Sequence, residues 1–328
     1  MHLGVIEEAK AHTASTRPPE TLLRRYLNTL WLRPENALWM TLRSLTMSRC
    51  DLRRPAVDVS CGDGVFLFLH LGGEFDPDFD VFTSVGHLDD VRTRHANVFD
   101  HVDAHYVPTV VAPPRMRVDL GTDAKPAMLE KARRLPLYDR LLEHDNNAPL
   151  PIPHHAFASV YCNAAYWIRN IDAFLADLAG ITAPTGRVIL HVKLTAMRAY
   201  TLDAFRGVLG DRFLDIVGRG RMDCWPTLAD RKTWETRFCR AGLTIHDVTP
   251  IASRTHAHLW DVGLRPIAPL LMKMVRAINP RTRASIKREW VDLFLELLTP
   301  FCRPDLELFE GPSEPAELQY LLTPSPKA

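Results

Sequence analysis

Residues 56–69 read A-V-D-V-S-C-G-D-G-V-F-L-F-L, and the fold follows from how that stretch must be built. Val57 and Val59 flank Asp58, the alternation of a short buried strand. Ser60, Gly62 and Gly64 come next, then an apolar run, so the order is strand, tight turn, helix. Small residues let the backbone of such a turn press against a ligand. The following helix points its free N–H groups and positive dipole end at the same place. Asp58, at the strand's end, is placed to accept a hydrogen bond from a cationic or amino group. The nicotinamide fingerprint G-x-G-x-x-G fits worse, because counting from Gly62 and Gly64 the third position is Leu67. A structural glycine turn in any α/β domain reads the same way, so the segments downstream decide.

Composition bounds the answer. The chain has 328 residues, enough for one large domain or a domain with an appended lobe. Its net charge of +1 argues against a broad basic face for nucleic acid. Six cysteines, at 50, 61, 162, 224, 239 and 302, form no C-x-x-C pair and read as free thiols in a reducing compartment. The N-terminal residues lack a basic start followed by an apolar core. No apolar run approaches the roughly 18–20 residues of a membrane span. The expectation is a cytoplasmic protein with no membrane association.

Helical spacing of Leu22, Leu23, Tyr26, Leu27, Leu30 and Trp31 predicts one helix before the first strand, and Pro34 opens a second. Trp31 and Trp39 on these helices read as packing residues or as lining for a substrate pocket. After Gly72-Gly73, residues 74 to about 115 interrupt the expected rhythm, since the next strand begins only at Met116–Leu120. The interruption is rich in Asp, His and Phe. His101-x-Asp103-x-His105 would share one strand face, but no spacing matches a closed zinc site, and no metal is expected.

The downstream motifs, taken together, resemble the class I S-adenosylmethionine-dependent methyltransferases of the type 11 kind. That family's first motif is D-x-G-x-G-x-G, standing here as Asp58-Val-Ser60-Cys61-Gly62-Asp-Gly64, with serine for the first glycine. Its G-x-D-x-S-x-x-M-L-x-x-A-R pattern is matched by Gly121, Asp123, Met128, Leu129, Ala132 and Arg133, with Lys125 at the serine. The resemblance implies that Asp123 accepts both ribose hydroxyls, with Asp119 the fallback, and that Asp145 and Asn146 meet the adenine ring. The bare alternative for Asp145-Asn146-Asn147 is a plain turn. Asn163-Ala-Ala-Tyr166 follows the fourth strand, where the family admits its acceptor. Its likeness to the N-P-P-Y motif of nucleic-acid amino-methylating enzymes lacks both prolines. Tyr166 and Trp167 read equally as packing residues.

The resemblance further implies a doubly wound, seven-stranded, mainly parallel sheet of order 3-2-1-4-5-7-6 with its last strand antiparallel. Its cofactor, S-adenosyl-L-methionine, would rest on Asp58, Ser60, Cys61, Gly62, Gly64, Asp123, Met128, Asp145, Asn146 and Asn163. Residues 1–55 form a helical lid and 56–251 the core, with Ala183–Gly186 a turn and His191 a strand residue. Residues 252–312 form a helical insertion and 313–328 the closing strand and tail. Entry to the second insertion concentrates His256, His258, Trp260, Asp261 and Arg265. Arg265 either holds an acidic substrate or pairs with Asp261. Candidate bases are His101, His105, His256 and His258. Tyr166, Trp167, Trp260 and Arg265 are candidate substrate contacts. The expected activity is methyl transfer to an oxygen or nitrogen of a small molecule, such as a sugar or specialised metabolite, a homodimer being compatible with it. The alternatives are a non-catalytic cofactor-binding scaffold and a nucleic-acid amino-methyltransferase.

Overall fold

The computed structural model describes residues 18–84, 100–103, 106–219, 225–309 and 313–326. Pro19 and Pro34 each occupy the first turn of a helix, where proline's missing N–H costs nothing. They open α1 (Pro19–Thr29) and α2 (Pro34–Met47). β1 (Ala56–Val59) then runs through the glycine turn into α3 (Val65–His70). β2 (Glu74–Phe75) and β3 (Val110–Ala112) pair antiparallel and pinch the base of the first insertion. β4 (Val118–Asp123), α4 (Pro126–Arg133), β5 (Tyr138–Glu143), β6 (Phe157–Cys162), α5 (Ile171–Ile181) and β7 (Thr182–Lys193) alternate as a wound sheet requires.

The short helices α6 (Ala196–Ala199), α7 (Arg206–Leu209) and α8 (Asp211–Gly218) precede α9 (Arg231–Arg240) and β8 (Leu243–Ala252). The second insertion is α10 (Arg254–Asp261), α11 (Ala268–Ala277) and α12 (Pro280–Leu298), and β9 (Glu317–Pro324) follows it. No helix among the described residues is long and apolar enough to cross a membrane.

The seven-stranded sheet runs β5-β4-β1-β6-β7-β9-β8. Counting only its own strands in chain order, that is 3-2-1-4-5-7-6, the order the resemblance implies. β9 is antiparallel to both β7 and β8, and the other pairings are parallel. Strand alternation divides the core. Val57, Val59, Leu120, Val160 and Leu190 pack on one face against Phe174 and Leu178 of α5 and Trp234 and Phe238 of α9. Ala56, Val118, Tyr138 and Tyr161 pack on the other with α1, α2 and α3. Asp58 lies on this second face, because its neighbours in β1 take the first.

The structure differs from the sequence expectation in two places. The second sheet strand is Val118–Asp123 rather than 116–120, so Gly121 and Asp123 lie inside it. Pairing with β1 on one side and β5 on the other sets that register, with Asp58 opposite Gly121 and Asp123 opposite Glu143. Residues 183–186, expected as a turn, are part of β7, and the register jumps there: Phe157 pairs with Thr182 but Ser159 with Arg187. The three extra residues are absorbed as an irregularity within the strand. At the sheet edge, α2 packs tightly. Most of its residues are buried, Ala37, Thr41, Leu42 and Ser44 completely, because it packs on β8 and on the flanking helices α1 and α10.

Candidate functional site

The alternation of small residues in 60–64 has a backbone cause. Ser60, Gly62 and Gly64 all lie in the left-handed region, with φ of 63°, 59° and 76°. A Cβ at Gly62 would meet no atom within 4 Å, whereas one at Gly64 would lie 2.9 Å from Cε2 of Tyr138. The turn therefore has an open side at Gly62 and a closed side at Gly64. Serine at the first position is held by its hydroxyl: Asn146 Nδ2 donates to Ser60 Oγ at 2.7 Å, tying the β1 turn to the loop after β5.

The end of β4 completes the crevice. Asp123 Oδ2 accepts from Gly62 N and Oδ1 from Lys125 N, each at 2.9 Å. Cys61 N donates to Thr122 O at 2.7 Å. Asn146 is buried, and its Oδ1, like Thr122 Oγ1, has no hydrogen-bond partner among the described residues. Met128 is half-buried in α4. On the outer flank, a cavity of about 430 Å³ separates Val102 of the first insertion from Pro126, Ala127, Leu141 and Glu143.

The three carboxylates of the sequence reading do not share one environment. Asp58 is buried behind the closed side, its Oδ2 accepting from Tyr138 OH at 2.6 Å. Burial pushes its pKa up to about 7; Tyr138 opposes this and the charge of Asp123 adds to it. Asp145 is exposed and bonds Asn147, accepting from its N at 3.0 Å and its Nδ2 at 2.8 Å. Those bonds hold its carboxyl below the usual range. Sequence reasoning passed over Tyr138 and Asp63. Asp63 accepts from Val65 N at 3.1 Å at the start of α3, and burial raises its pKa. Tyr138 has no local signal; only the fold brings it under Gly64 and Gly121.

A second cluster lies at the carboxyl ends of β6 and β7. Asn163 donates to Tyr161 OH at 3.2 Å. Tyr166 is buried, its hydroxyl accepting from Arg43 Nη2 at 3.2 Å, while Trp167 is 45% exposed. The Lys193 ammonium lies 4.1 Å from the ring centre of Trp39, 5.2 Å from that of Tyr166 and 5.7 Å from that of Trp260. It is 3.3 Å from Glu317 Oε2. Glu317 is fully buried, accepting also from Trp39 Nε1 and from Arg43 Nη2 at 2.5 Å. Burial alone would raise its pKa, but Arg43 and then Lys193 bring it down to about 2. Trp260 donates to Asn36 Oδ1 at 2.9 Å, and the Arg265 guanidinium stands 5.0 Å from its ring. Asp261 accepts from Leu202 N at 2.6 Å.

Tyr166 and Trp260 thus flank the Lys193 ammonium, and Arg265 stands over Trp260. Their partners Arg43, Lys193 and Glu317 were missed. The available signal was a lone charge at the end of the apolar strand V-I-L-H-V-K and another at the start of the closing strand.

The histidines separate. His256 is buried with both ring nitrogens engaged, Nδ1 accepting from Ser253 N at 3.0 Å and Nε2 donating to Phe301 O at 2.9 Å. It is half of the capping box that starts α10, and burial lowers its pKa. His258 is half-buried and packs 4.8 Å from the ring of Phe309. His101 is half-buried, one residue from Asp100, which pairs with Lys125 at 2.7 Å. His105 lies outside the described residues, as do His87, Asp89, Asp90 and His95. His191 is fully buried between Tyr161 OH at 3.4 Å and Gln319 Oε1 at 3.0 Å. Among the described residues no group of three or more His, Cys, Asp or Glu could hold a metal ion.

The sheet order and the turn at its centre identify the architecture. This is the class I methyltransferase fold. No family model and no curated protein matches the chain. Solved structures do. A SAM-dependent methyltransferase from Thermotoga maritima is 12% identical, with 92% of this chain and 99% of that one covered and a TM-score of 0.42. One from Mesorhizobium loti is 14% identical, with 83% and 90% covered and a TM-score of 0.38. The [4+2]-cyclase SpnF is 13% identical, with 88% and 82% covered and a TM-score of 0.42. At such values the topology stands on its own strand order.

Proposed function

We propose that the chain is an S-adenosyl-L-methionine-dependent methyltransferase, with the cofactor held at the Gly62 turn. One observation carries the reading. At the carboxyl edge of β1, β4 and β5, an open left-handed glycine, a strand-end carboxylate and the buried, unpaired Oδ1 of Asn146 face one crevice. Those groups fit the cofactor's chemistry. Asp123 uses one lone pair of each oxygen on a backbone N–H and retains acceptor capacity for the ribose hydroxyls. Asn146 Oδ1 suits the exocyclic amine of adenine, a role in which Asn146 is better placed than the exposed Asp145. Ser60, Cys61 and Gly64 shape the turn, and Met128 and Asn163 are proposed as further cofactor contacts. Asp58 supports the turn from behind.

When bound, S-adenosyl-L-methionine supplies an electrophilic methyl group on a sulfonium. The chain's contribution is alignment of the acceptor in line with that carbon and exclusion of water. Tyr166, Trp260 and Arg265 supply an aromatic and cationic surface for a small molecule at the acceptor edge. A proton leaving an O–H or N–H acceptor needs a base. His101 and His258 keep that assignment open, whereas His256 has both nitrogens committed to capping α10.

A second reading is a cofactor-binding protein without methyl transfer. It is favoured by the acceptor edge, which Trp39, Tyr166, Lys193 and Trp260 fill with side chains of the chain itself. Calorimetric titration with S-adenosylhomocysteine tests what both readings share. Binding is expected, weakened at least tenfold in Asp123→Ala; absence of heat and of thermal shift overturns both. Release of S-adenosylhomocysteine in the presence of acceptor panels then separates them.

A further inference from the structure

The two insertions meet at a charged cavity outside the glycine-turn crevice. One wall is the start of α12; the other is the loop after β2, which an aspartate turn rigidifies through Asp76 Oδ1 accepting from Asp78 N at 2.8 Å. The cavity has a volume of about 370 Å³. Arg281, Arg283, Lys287 and Arg288 line it, opposed by Asp78 and Asp80. Arg281 and Arg288 form one row along the start of α12 and Arg283 and Lys287 another, and all four line the cavity. Four cations thus meet two carboxylates.

One of those carboxylates is already committed. Asp80 Oδ1 accepts from Trp31 Nε1 at 3.1 Å and Phe82 N at 2.9 Å, and its Oδ2 lies 3.7 Å from Arg283 Nε. Asp78 is exposed. Arg288 spends one donor on Ala284 O at 3.2 Å, and Arg281 forms no ion pair with the described residues. Lys287 is only 2% exposed, donating to Phe79 O. Burial lowers its pKa to about 8, and the charges of Asp80, Asp78 and Asp76 only partly oppose that.

We propose that this cavity is an oxyanion site for the phosphoryl group of a small molecule, read by the guanidinium forks of Arg281 and Arg288 over the Lys287 ammonium. Planar forks suit the tetrahedral oxygens of phosphate, which they engage in pairs. Because the walls belong to different insertions, the bound anion clamps the loop after β2 to α12. The site is independent of the glycine-turn reading.

The test is calorimetry and thermal unfolding with inorganic phosphate, pyrophosphate and adenosine monophosphate, each against sodium chloride of equal ionic strength. Saturable binding and a raised midpoint are expected for at least one of them. Arg281→Ala/Arg288→Ala is expected to weaken it at least tenfold while S-adenosylhomocysteine binding is unchanged. Both arginines are exposed, so the variant retains its fold. Arg281→Lys/Arg288→Lys, which keeps the charge and removes the forks, should fall between. Tighter binding of the nucleotide than of free phosphate assigns the anion to an organic phosphate; equal affinity assigns it to phosphate itself. No effect beyond the chloride control, or equal affinity in the alanine variant, overturns the site.

Discussion

Ser60 and Gly64 occupy the same kind of backbone conformation yet tolerate change differently. At φ 63° a serine is strained, and its bond to Asn146 offsets that strain. At Gly64 no such compensation is available, because the space its Cβ would need holds the Tyr138 ring. Gly64→Ala is therefore expected to destabilise the protein by about 1–3 kcal/mol, measured by urea unfolding. Asn146→Ala removes both the Ser60 bond and the unpaired Oδ1. It should weaken S-adenosylhomocysteine about tenfold, in line with about 1–1.5 kcal/mol for a lost hydrogen bond. An unchanged dissociation constant would place the adenine elsewhere.

At the scale of elements, the tie between α2 and β9 dominates. Trp39 and Arg43 come from one, Glu317 from the other, and Lys193 from the end of β7. Two buried cations depend on one carboxylate. Removing it takes that charge from both, and breaking a buried ion pair from one side costs about 3–5 kcal/mol. Glu317→Gln is expected to lose stability of that order in denaturant unfolding. The same tie makes the N-terminal helices part of the core. Deleting residues up to 47 removes Leu38 and Leu42 and exposes the sheet face they cover. That truncation should fail to give a cooperative unfolding transition; a cooperatively folded product would show that α2 is a detachable cover.

Over the whole molecule, three buried titrating groups shape stability against pH. Glu317 has a folded pKa of about 2 against an ordinary 4.5, so its contribution is complete above 4.5 and lost as pH falls toward 2. His191 is lowered from 6.5 to about 4, chiefly by burial. It stays neutral in the fold, so its contribution is complete above 6.5 and lost as pH falls toward 4. Asp58 has the opposite sign: raised from 3.8 to about 7, it contributes most in acid and loses stability as pH rises through that range. His191 and Asp58 therefore oppose one another between roughly pH 4 and 6.5, leaving a near-flat profile there. In Asp58→Asn, stability should climb with pH across that window. In His191→Gln it should fall instead. Urea midpoints at half-unit pH steps measure both, and parallel profiles in the two variants would refute the assignment.

What could be read from sequence was the part encoded by local, periodic or closely spaced residues. Asp58 to Gly64 announced the strand, turn and helix, and Gly121 to Arg133 the next strand–helix join. The delayed closing strand was legible as well, because A-E-L-Q-Y-L-L-T is an apolar run beyond two amphipathic helices. Together these carried the resemblance that implied the strand order. Tertiary structure decided the rest. That Asp58 is backed by Tyr138, that Asn146 rather than Asp145 is the buried one of its pair, and that His256 caps a helix all depend on atoms brought together across the chain. Arg43 and Glu317 are 274 residues apart in sequence, and no local pattern links them. Periodicity specifies which face of an element is apolar, but only packing selects which buried charge meets which.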